Sequence, residues 1–373
     1  MTAAEARAAR WLAAWDGQGT HRTGTDGDTA GAEWLAAEAA ALGAEVACEA
    51  FALDRSDPVE VFLEIDETRI AAVPAFDAPA TDGAGISGRF GIDIAVAELT
   101  PRAVYSGEYE GLRRRGGHRG LVILCAGDAP GMGLLNAENF RAPYGAPAIH
   151  IASEAGAAVR MAAARQATAR LVSMSRRSRA VARNIVVTLA GSDAAAAPLI
   201  VMTPRSSWWQ STAERGGGIV CWLEALRALL AAPPHRPVVF TANSGHELGH
   251  LGLDDFVARR PRCETAATWL HWGANLGAAG GALSVMSASD DLRALAAAEL
   301  ARAGQPHVAA PKTLVPSGET RDIHKKGGRY LTLVGTNKLF HLPQDRWPDA
   351  VDVAAVAAIA AAAARMTGVL ARG

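Results

Sequence analysis

The amino-acid sequence predicts an α/β fold, in which helices cover both faces of a mostly parallel or mixed central sheet and a β-rich domain is inserted. Two observations lead to this prediction. From residue 184 onward, continuous apolar runs alternate with amphipathic runs, as in buried strands joined by helices. Between residues 57 and 179, short apolar runs are separated by frequent glycine and proline, as in a β-rich module. We therefore predict an α/β domain of residues 1–56 and 180–373, and an inserted domain of residues 57–179.

Two helices and a strand are predicted before the insertion, at Ala4–Ala14, from Asp28 or Thr29 to Gly43, and at Glu45–Leu53. Trp11, Leu12 and Trp15 fall on one side of the first helix. A polar side chain at position 28 or 29 can cap the second helix, and Gly43 suits its end because glycine tolerates the left-handed conformation.

The inserted segment is predicted to contain several short strands and one helix. The strands are expected at residues 59–65, 92–96, near Val104, at 121–125 and at 147–151, and the helix at 153–166. A basic run at residues 176–179 closes the segment. We interpret this run as a solvated linker, and a partner-binding patch is the weaker alternative.

The remainder of the chain alternates between strands and helices. Strands are predicted at residues 184–189, 199–203, 238–242, 268–271, 283–286 and 330–334, and helices at 219–231, from 247, at 292–303 and at 353–370. Ile219, Trp222, Leu226 and Leu230 form one apolar stripe, which shows the helical period clearly.

Composition excludes several classes of partner. The chain has 373 residues, a net charge of −1 and no charge asymmetry, so we expect neither a nucleic-acid partner nor a membrane surface. The Ala-rich C-terminal stretch comes closest to a membrane span, but Arg365 interrupts it. Four widely spaced cysteines and an N-terminus without a signal-peptide pattern predict a cytoplasmic protein.

The stretch His246-Glu247-Leu248-Gly249-His250 directly follows a predicted strand and matches the H-E-x-x-H pattern of zinc proteases. In those proteases both histidines lie one turn apart within a helix. Here the first histidine comes straight after a strand and loop, and Gly249 disfavours helix. We therefore treat the zinc-protease motif as the weaker interpretation, while His250 can still lie near His246.

Polar residues near strand ends occur in four places, Pro204–Glu214, His246–His250, His271–Asn275 and Glu319–His341. This set, in this order, resembles the zinc aminopeptidases of peptidase family M28, which include bacterial leucyl aminopeptidases, glutamate carboxypeptidase and the transferrin receptor. The resemblance covers nearly the whole chain, including an insertion placed like that family's protease-associated domain. It implies the fold predicted above.

Active members of that family hold two zinc ions through five ligands, and a glutamate acts as base on the bridging water. The resemblance places this chain's residues as follows: Pro204 at the first histidine, Glu214 at the bridging aspartate, His246 at the base, Glu247 at the ligand glutamate, Asn275 at the third carboxylate and His341 at the last histidine. Proline has no side-chain donor and a neutral amide is a poor zinc ligand, so one of the two metal sites is lost.

The resemblance leaves Glu214, Glu247 and His341 for one divalent metal, zinc or another, with His250 as an additional candidate ligand. This is similar to glutaminyl cyclases, which are single-zinc relatives of the same fold. His246 would handle the proton in this site. The alternatives are that His246 binds the metal or is a hydrogen-bonded filler in a retired site.

Further polar and aromatic residues accompany these positions and are candidates for substrate binding: Arg205, Trp208, Trp209, Arg215, Asn275, Arg321 and His324. If the cations converge, they could hold a carboxylate or phosphate. The alternative is ordinary surface charge. Gly216–Gly218 could present N–H groups to an anion, or could simply allow close packing of a helix.

The sequence therefore predicts a metal-dependent hydrolase that acts on a small amide or peptide-like substrate through one divalent metal. Its rivals are a non-catalytic binding protein and a metal-free enzyme built on the same pocket. The Ala-rich final helix and nine tryptophans would suit a homodimer, although core packing explains them equally well.

Overall fold

The structure, a computed structural model, describes residues 1–101, 103 and 107–373. The predicted α/β class is confirmed: one large, curled mixed sheet carries helices on its faces. The helices are α1 (Ala3–Asp16), α2 (Asp26–Ala41), α3 (Gly107–Arg115), α4 (Gly156–Ala164), α5 (Gly217–Ala231), α6 (Leu251–Ala258), α7 (Cys263–Ala266), α8 (Asp290–Arg302), α9 (Thr320–Lys325) and α10 (Val353–Arg372).

Thirteen strands are found in the described part of the chain: β1 (Val46–Ile65), β2 (Thr68–Pro74), β3 (Ile86–Arg89), β4 (Ile94–Leu99), β5 (Gly120–Cys125), β6 (Ala148–Ile151), β7 (Thr168–Leu189), β8 (Leu199–Pro204), β9 (Val238–Asn243), β10 (Thr268–Trp272), β11 (Leu283–Met286), β12 (Val308–Ala309) and β13 (Arg329–Gly335). The strand expected near Val104 lies outside the described residues.

The sheet order is β12-β11-β13-β10-β8-β9-β7-β1-β2-β6-β5-β4, and β3 pairs with β7. Strands β13, β10, β8 and β9 are parallel to one another, whereas β7 and β11 flank them in the antiparallel sense. The parallel strands are almost entirely buried, which is why their sequences read as continuous apolar runs. This parallel group positions the functional site.

Strands β1 and β7 are unusually long and join the two halves of the sheet. Their antiparallel register runs from Val46 opposite Val187 to Ile65 opposite Ala169. The predicted linker at residues 176–179 is therefore wrong, because those residues lie inside β7 and pair with residues 54–57 of β1. Cross-strand backbone pairing keeps the basic run extended although its side chains are polar. The domain boundaries at 57 and 179 fall within these two strands and stay a prediction.

The main core lies between the sheet and helices α1, α2, α5, α8 and α10. The stripe predicted from Ile219 onward is buried, with Ile219, Trp222 and Leu226 all at 1 % exposure or less. Helix α10 is long and apolar enough to cross a membrane by length and composition alone. Half of it is buried, and it packs against α5, α8 and α1.

Because His150 of the inserted segment is buried, we expect the free energy of unfolding to fall at acidic pH. The Leu135 N–H donates to His150 Nε2 at 3.3 Å, and burial lowers the pKa of the ring to about 4. An unfolded histidine titrates near ~6.5, so between about pH 6.5 and 4 only the unfolded chain gains this proton. Stability is therefore lost as the pH falls through this window. Over this pH range the free energy of unfolding of the wild type should fall by about 3 kcal/mol more than that of His150→Gln.

The measurement is urea denaturation of both proteins at pH 7, 5.5 and 4.5. A stability difference that stays constant across these pH values would contradict the predicted burial of a neutral ring.

Candidate functional site

The carboxyl ends of β8, β9 and β10 meet at one edge of the sheet because the three strands are parallel. Each strand is followed by a polar loop. These loops are residues 205–216, 244–250 and 273–275, and they include most of the residues singled out from the sequence. The site is thus built at the edge where open α/β sheets collect their ligands.

A small cavity of about 90 Å³ lies at this edge. Five of the side chains that line it are polar and nearly fully buried, and each has a polar atom without a hydrogen-bond partner among the described residues: Asn136, His246, His271, Asn275 and His341. Buried polar groups are normally hydrogen-bonded, so five side chains of this kind around one cavity indicate a place for water or a ligand. The other lining residues are Pro101, Pro204, Ala274, Ser317, Gly318, Val334 and Phe340.

The motif His246–His250 is not part of a regular helix. Residues His246–Leu248 form a single 3₁₀ turn, Gly249 follows with a φ of 79° and His250 with a φ of 64°. The helix predicted from Glu247 therefore begins only at Leu251. The two left-handed residues break the helix, so the histidines do not have zinc-protease geometry. Their rings still lie near each other, with centroids 5.0 Å apart.

His246 lies between the cavity and a buried carboxyl group. Its backbone N–H donates to Ser206 Oγ at 3.0 Å, and its Nδ1 is 3.9 Å from Glu319 Oε1. Burial, followed by the positive charge of Arg215, holds the pKa of His246 well below its usual range. The pKa of Glu319 is raised by burial to about 7. The ring is therefore neutral near neutral pH.

Glu247 does not line this cavity, and both of its carboxylate oxygens accept hydrogen bonds from other segments of the chain. Its Oε1 accepts the Thr23 N–H at 2.7 Å, and its Oε2 accepts the Ser206 hydroxyl at 2.6 Å. Both contacts are fully buried, and burial raises the pKa of the carboxyl group. Glu247 thus ties the N-terminal segment and the loop after β8 to the loop after β9.

Glu214 stands in a π-helical turn whose backbone is held by Asp345. The Ala213 and Glu214 N–H groups donate to the Asp345 carboxylate at 2.7 and 3.0 Å. Glu214 Oε1 lies 2.6 Å from Arg215 Nη2 and 3.4 Å from His341 Nε2. Burial alone would raise the pKa of Glu214, but Arg215 and His341 outweigh it and lower the pKa to about 2.

The predicted metal ligands do not fit a metal ion. In the described ranges, no three His, Cys, Asp or Glu side chains are grouped so that they could hold one. Both Glu247 oxygens already accept hydrogen bonds, and a guanidinium lies against Glu214. Zinc bound to Glu214 Oε1 at ~2.1 Å would lie at most about 5 Å from Arg215 Nη2. At an effective dielectric constant of ~20, the two cations would repel each other by roughly 7 kcal/mol.

Three of the predicted substrate-binding residues have structural partners. Arg205 is fully buried, with Nη1 2.8 Å from Asp28 Oδ1. Trp208 stacks on Phe76 with ring centroids 4.8 Å apart. The indole of Trp209 donates to the His341 carbonyl at 2.9 Å. None of the three lines the small cavity; Arg205 and Trp208 hold the loop after β8 in place, and Trp209 supports the loop that carries His341.

Two further candidates lie outside the small cavity. Arg321 forms an ion pair with Glu138 at 2.6 Å and lines an outer groove of about 740 Å³, which meets the cavity at Ser317. His324 packs edge-on against Tyr330, with ring centroids 5.7 Å apart. The predicted cations therefore do not converge on one anion.

His250 and the triple glycine also acquire definite surroundings. His250 Nδ1 lies 2.6 Å from Asp322 Oδ2, which fixes its ring. A Cβ at Gly217 would lie 1.9 Å from the Leu276 carbonyl oxygen, so this glycine is required for close packing of α5. Of the two interpretations of the triple glycine, close packing has the structural support.

Three site residues were absent from the predicted set. His271 and Glu319 belong to polar stretches that the sequence had marked, and their position near strand ends was the available signal. Asn136 comes from the inserted segment, and nothing in its surroundings in the sequence distinguishes it. It reaches the cavity only because this segment folds back over the sheet edge.

Left-handed backbone is concentrated around the site. Ser211, His250, Asn275 and His341 have φ values between 50° and 64°, although none of them is glycine. Such residues each cost on the order of 1 kcal/mol and cluster at functional sites. The strain is offset by specific contacts, such as the Asn275 N–H that donates to the Glu214 carbonyl at 3.0 Å.

Comparison with known proteins identifies the architecture. No family model matches the chain, and no curated protein matches it by sequence. A zinc aminopeptidase from Bacillus subtilis is similar in structure, with a TM-score of 0.75 at 17% identity, over 96% of this chain and 94% of that one. A peptidase M28 precursor from Shewanella amazonensis gives 0.76 at 16% identity, over 99% and 95%. An aminopeptidase from Aneurinibacillus gives 0.69 at 15% identity, over 99% and 93%. The fold of this chain is therefore that of the M28 zinc aminopeptidases.

Proposed function

We propose that this protein is a hydrolase that acts on a small amide or peptide-like substrate at the cavity beside His246. The observation that carries the proposal is the set of five buried polar side chains that line one cavity at the sheet edge, each with a polar atom that has no hydrogen-bond partner among the described residues. Each such atom lowers the stability of the fold by ~1–3 kcal/mol through lost hydration, so these atoms do not stabilise a pocket that has no ligand. The structural neighbours are peptidases, which supports hydrolysis as the reaction class.

His246 is the group that moves the proton in this proposal. A neutral imidazole facing the cavity can take a proton from an attacking water molecule as it adds to the amide carbon. Glu319, 3.9 Å behind the ring, is placed to stabilise the resulting imidazolium. When the C–N bond breaks, the same proton passes to the departing nitrogen, and the products are an amine and a carboxylic acid, which releases its own proton to water.

The Bacillus subtilis neighbour is a zinc aminopeptidase, and a zinc ion, if it were bound here, would polarise the carbonyl. The donor set of this chain does not fit such an ion, so we derive no step through a metal. We expect hydrolysis to persist in EDTA, with protein purified without added metal and assayed on a panel of small carboxamides and aminoacyl anilides.

Two outcomes would change the proposal. Loss of turnover in EDTA that zinc restores would support the single-metal hydrolase predicted from the sequence. Absence of hydrolysis across the whole panel would contradict an enzymatic role and favour the binding protein. We also propose, from the sequence alone, that the protein is cytoplasmic, that it has neither a nucleic-acid nor a membrane partner, and that it forms a homodimer.

A further inference from the structure

Glu214 and His341 are spaced like two ligands of one metal ion. Glu214 Oε1 lies 3.4 Å from His341 Nε2, and both side chains are at most 1 % exposed. The His341 Nδ1–H donates to the Leu134 carbonyl at 2.7 Å, because a carbonyl oxygen can only accept, so Nε2 of the neutral ring keeps its lone pair. Two zinc ligands with bonds of ~2.0–2.1 Å and a tetrahedral angle between them are about 3.4 Å apart. In spacing alone, this pair suits a metal ion.

Arg215 already occupies the carboxylate that a metal ion would need. Its Nη2 lies 2.6 Å from Glu214 Oε1, the same oxygen that faces His341. Its Nε donates to the Ser206 carbonyl at 2.7 Å, and its side chain is fully buried. A guanidinium does not lose its proton in a protein, and this one cannot leave without breaking its bond to the loop after β8. Glu214 therefore has a permanent cation beside it.

The charge of this ion pair disfavours a second cation at the same place. Glu214 carries one negative charge, which the Arg215 guanidinium balances inside the protein. A divalent ion on the same carboxylate would leave two positive charges without a counterion, and uncompensated buried charge is strongly unfavourable. Asn275, which lines the cavity together with His341, is a neutral amide and adds no negative charge.

We propose that Arg215 keeps divalent metal ions out of this site, and that Glu214 and His341 bind a metal ion once Arg215 is replaced by a neutral side chain. The inference concerns metal uptake and goes beyond the proposed function, whose proton transfer involves none of these three residues. It differs from the interpretation drawn from the sequence, in which the metal is lost because Pro204 and Asn275 are poor ligands. On that interpretation an added carboxylate restores metal binding, whereas with Arg215 in place it does not.

Replacement of Arg215 tests the inference directly. Arg215→Met removes the charge and keeps an unbranched side chain, and zinc uptake by metal-free protein is measured by calorimetric titration and by zinc content after gel filtration. We expect Arg215→Met to bind one zinc ion per chain, at least tenfold more tightly than the wild type. Glu214→Gln in the same background should abolish this gain. Arg7→Met is the matched control, because Arg7 Nε also pairs with a largely buried carboxylate, Glu224 Oε1 at 2.7 Å, and it should leave zinc uptake unchanged.

Asn275→Asp separates the charge of Arg215 from the loss of metal ligands. Aspartate adds a carboxylate to the lining of the same cavity and, like asparagine, tolerates the left-handed backbone found at this position. We expect no gain in zinc affinity while Arg215 is present, and a gain of at least tenfold over Arg215→Met when the two changes are combined. Zinc should raise the Tm of the double variant and leave that of Asn275→Asp unchanged, because a ligand stabilises only the state that binds it. Since the single variant keeps Arg215, it tests the inference even if Arg215→Met does not fold.

Stoichiometric zinc uptake by the wild type, or by Asn275→Asp with Arg215 in place, would overturn the inference. A folded Arg215→Met protein that binds zinc no more tightly than the wild type would overturn it as well. These measurements are independent of turnover. If the wild type excludes zinc but cleaves no amide, the proposed function fails and this inference stands; if it takes up zinc and cleaves amides, only this inference fails.

Discussion

His246→Gln is expected to reduce kcat for amide hydrolysis by about 10²–10⁴-fold, the usual contribution of a positioned general base. Glutamine is close in size and polar, but its amide cannot accept a proton from water near neutral pH. Among the described residues no hydrogen bond to the His246 ring is found, and Glu319 lies 3.9 Å from its Nδ1, so the replacement removes no strong hydrogen bond. The free energy of unfolding should therefore change by less than about 1 kcal/mol. Steady-state kinetics and urea denaturation of the same preparations measure both quantities.

His235→Gln is the matched control, because His235 is exposed in the loop before β9 and its ring hydrogen-bonds to Ser192 Oγ at 2.9 Å. It lies at the amino end of the strand whose carboxyl end carries His246. Its kcat should equal that of the wild type. If His246→Gln retained full kcat, His246 would have no part in the mechanism and the proposed proton transfer would be wrong.

Arg205→Met should lower the free energy of unfolding by about 3–5 kcal/mol, because it removes one partner of a fully buried ion pair. Asp28 would keep hydrogen bonds from the Gly24 N–H at 2.8 Å and from the Ser244 hydroxyl at 2.9 Å. Asp28 is 1 % exposed and would nevertheless lose the cation that pairs with it in the described part of the chain. Chemical denaturation measures this loss. The sequence placed Arg205 in substrate binding, so this result would assign it to the scaffold instead.

Two companion variants make the result specific. Arg10→Met breaks an ion pair with Glu38 whose arginine side chain is 56% exposed, and it should cost less than about 1 kcal/mol. Combining Arg205→Met with Asp28→Asn removes the uncompensated charge and should recover part of the loss. An unchanged stability in Arg205→Met, together with weaker amide binding, would return Arg205 to the substrate site.

Local pattern was sufficient for most of the elements. The apolar runs that became β8, β9 and β10 and the stripe that became α5 are read directly from the sequence, because burial on both sheet faces or on one helix face demands them. Pattern failed at residues 176–179, where a basic run lies in a strand. Cross-strand pairing with β1 outweighs its polarity there, and no local signal reveals that partner.

The candidate site shows the same division. Sequence alone determined that His246, Asn275 and His341 belong near one sheet edge, because parallel strands deliver their carboxyl ends together, and all three line the cavity. It also predicted that Pro204, which has no side-chain donor, and Asn275, a neutral amide, would serve poorly as zinc ligands. Side-chain chemistry and strand order settle such questions without coordinates.

Only the tertiary structure decided which ionisable groups are free to bind a metal or a ligand and which are held by other side chains. Glu247 remained capable of binding a metal in sequence terms, yet its two oxygens are taken by Thr23, more than two hundred residues earlier, and by Ser206. Arg215 was one cation among several until the structure showed its guanidinium buried 2.6 Å from the Glu214 carboxylate. The role of a charged side chain depends on its partners across the fold, and long-range hydrogen bonds and ion pairs leave no periodic trace in the chain.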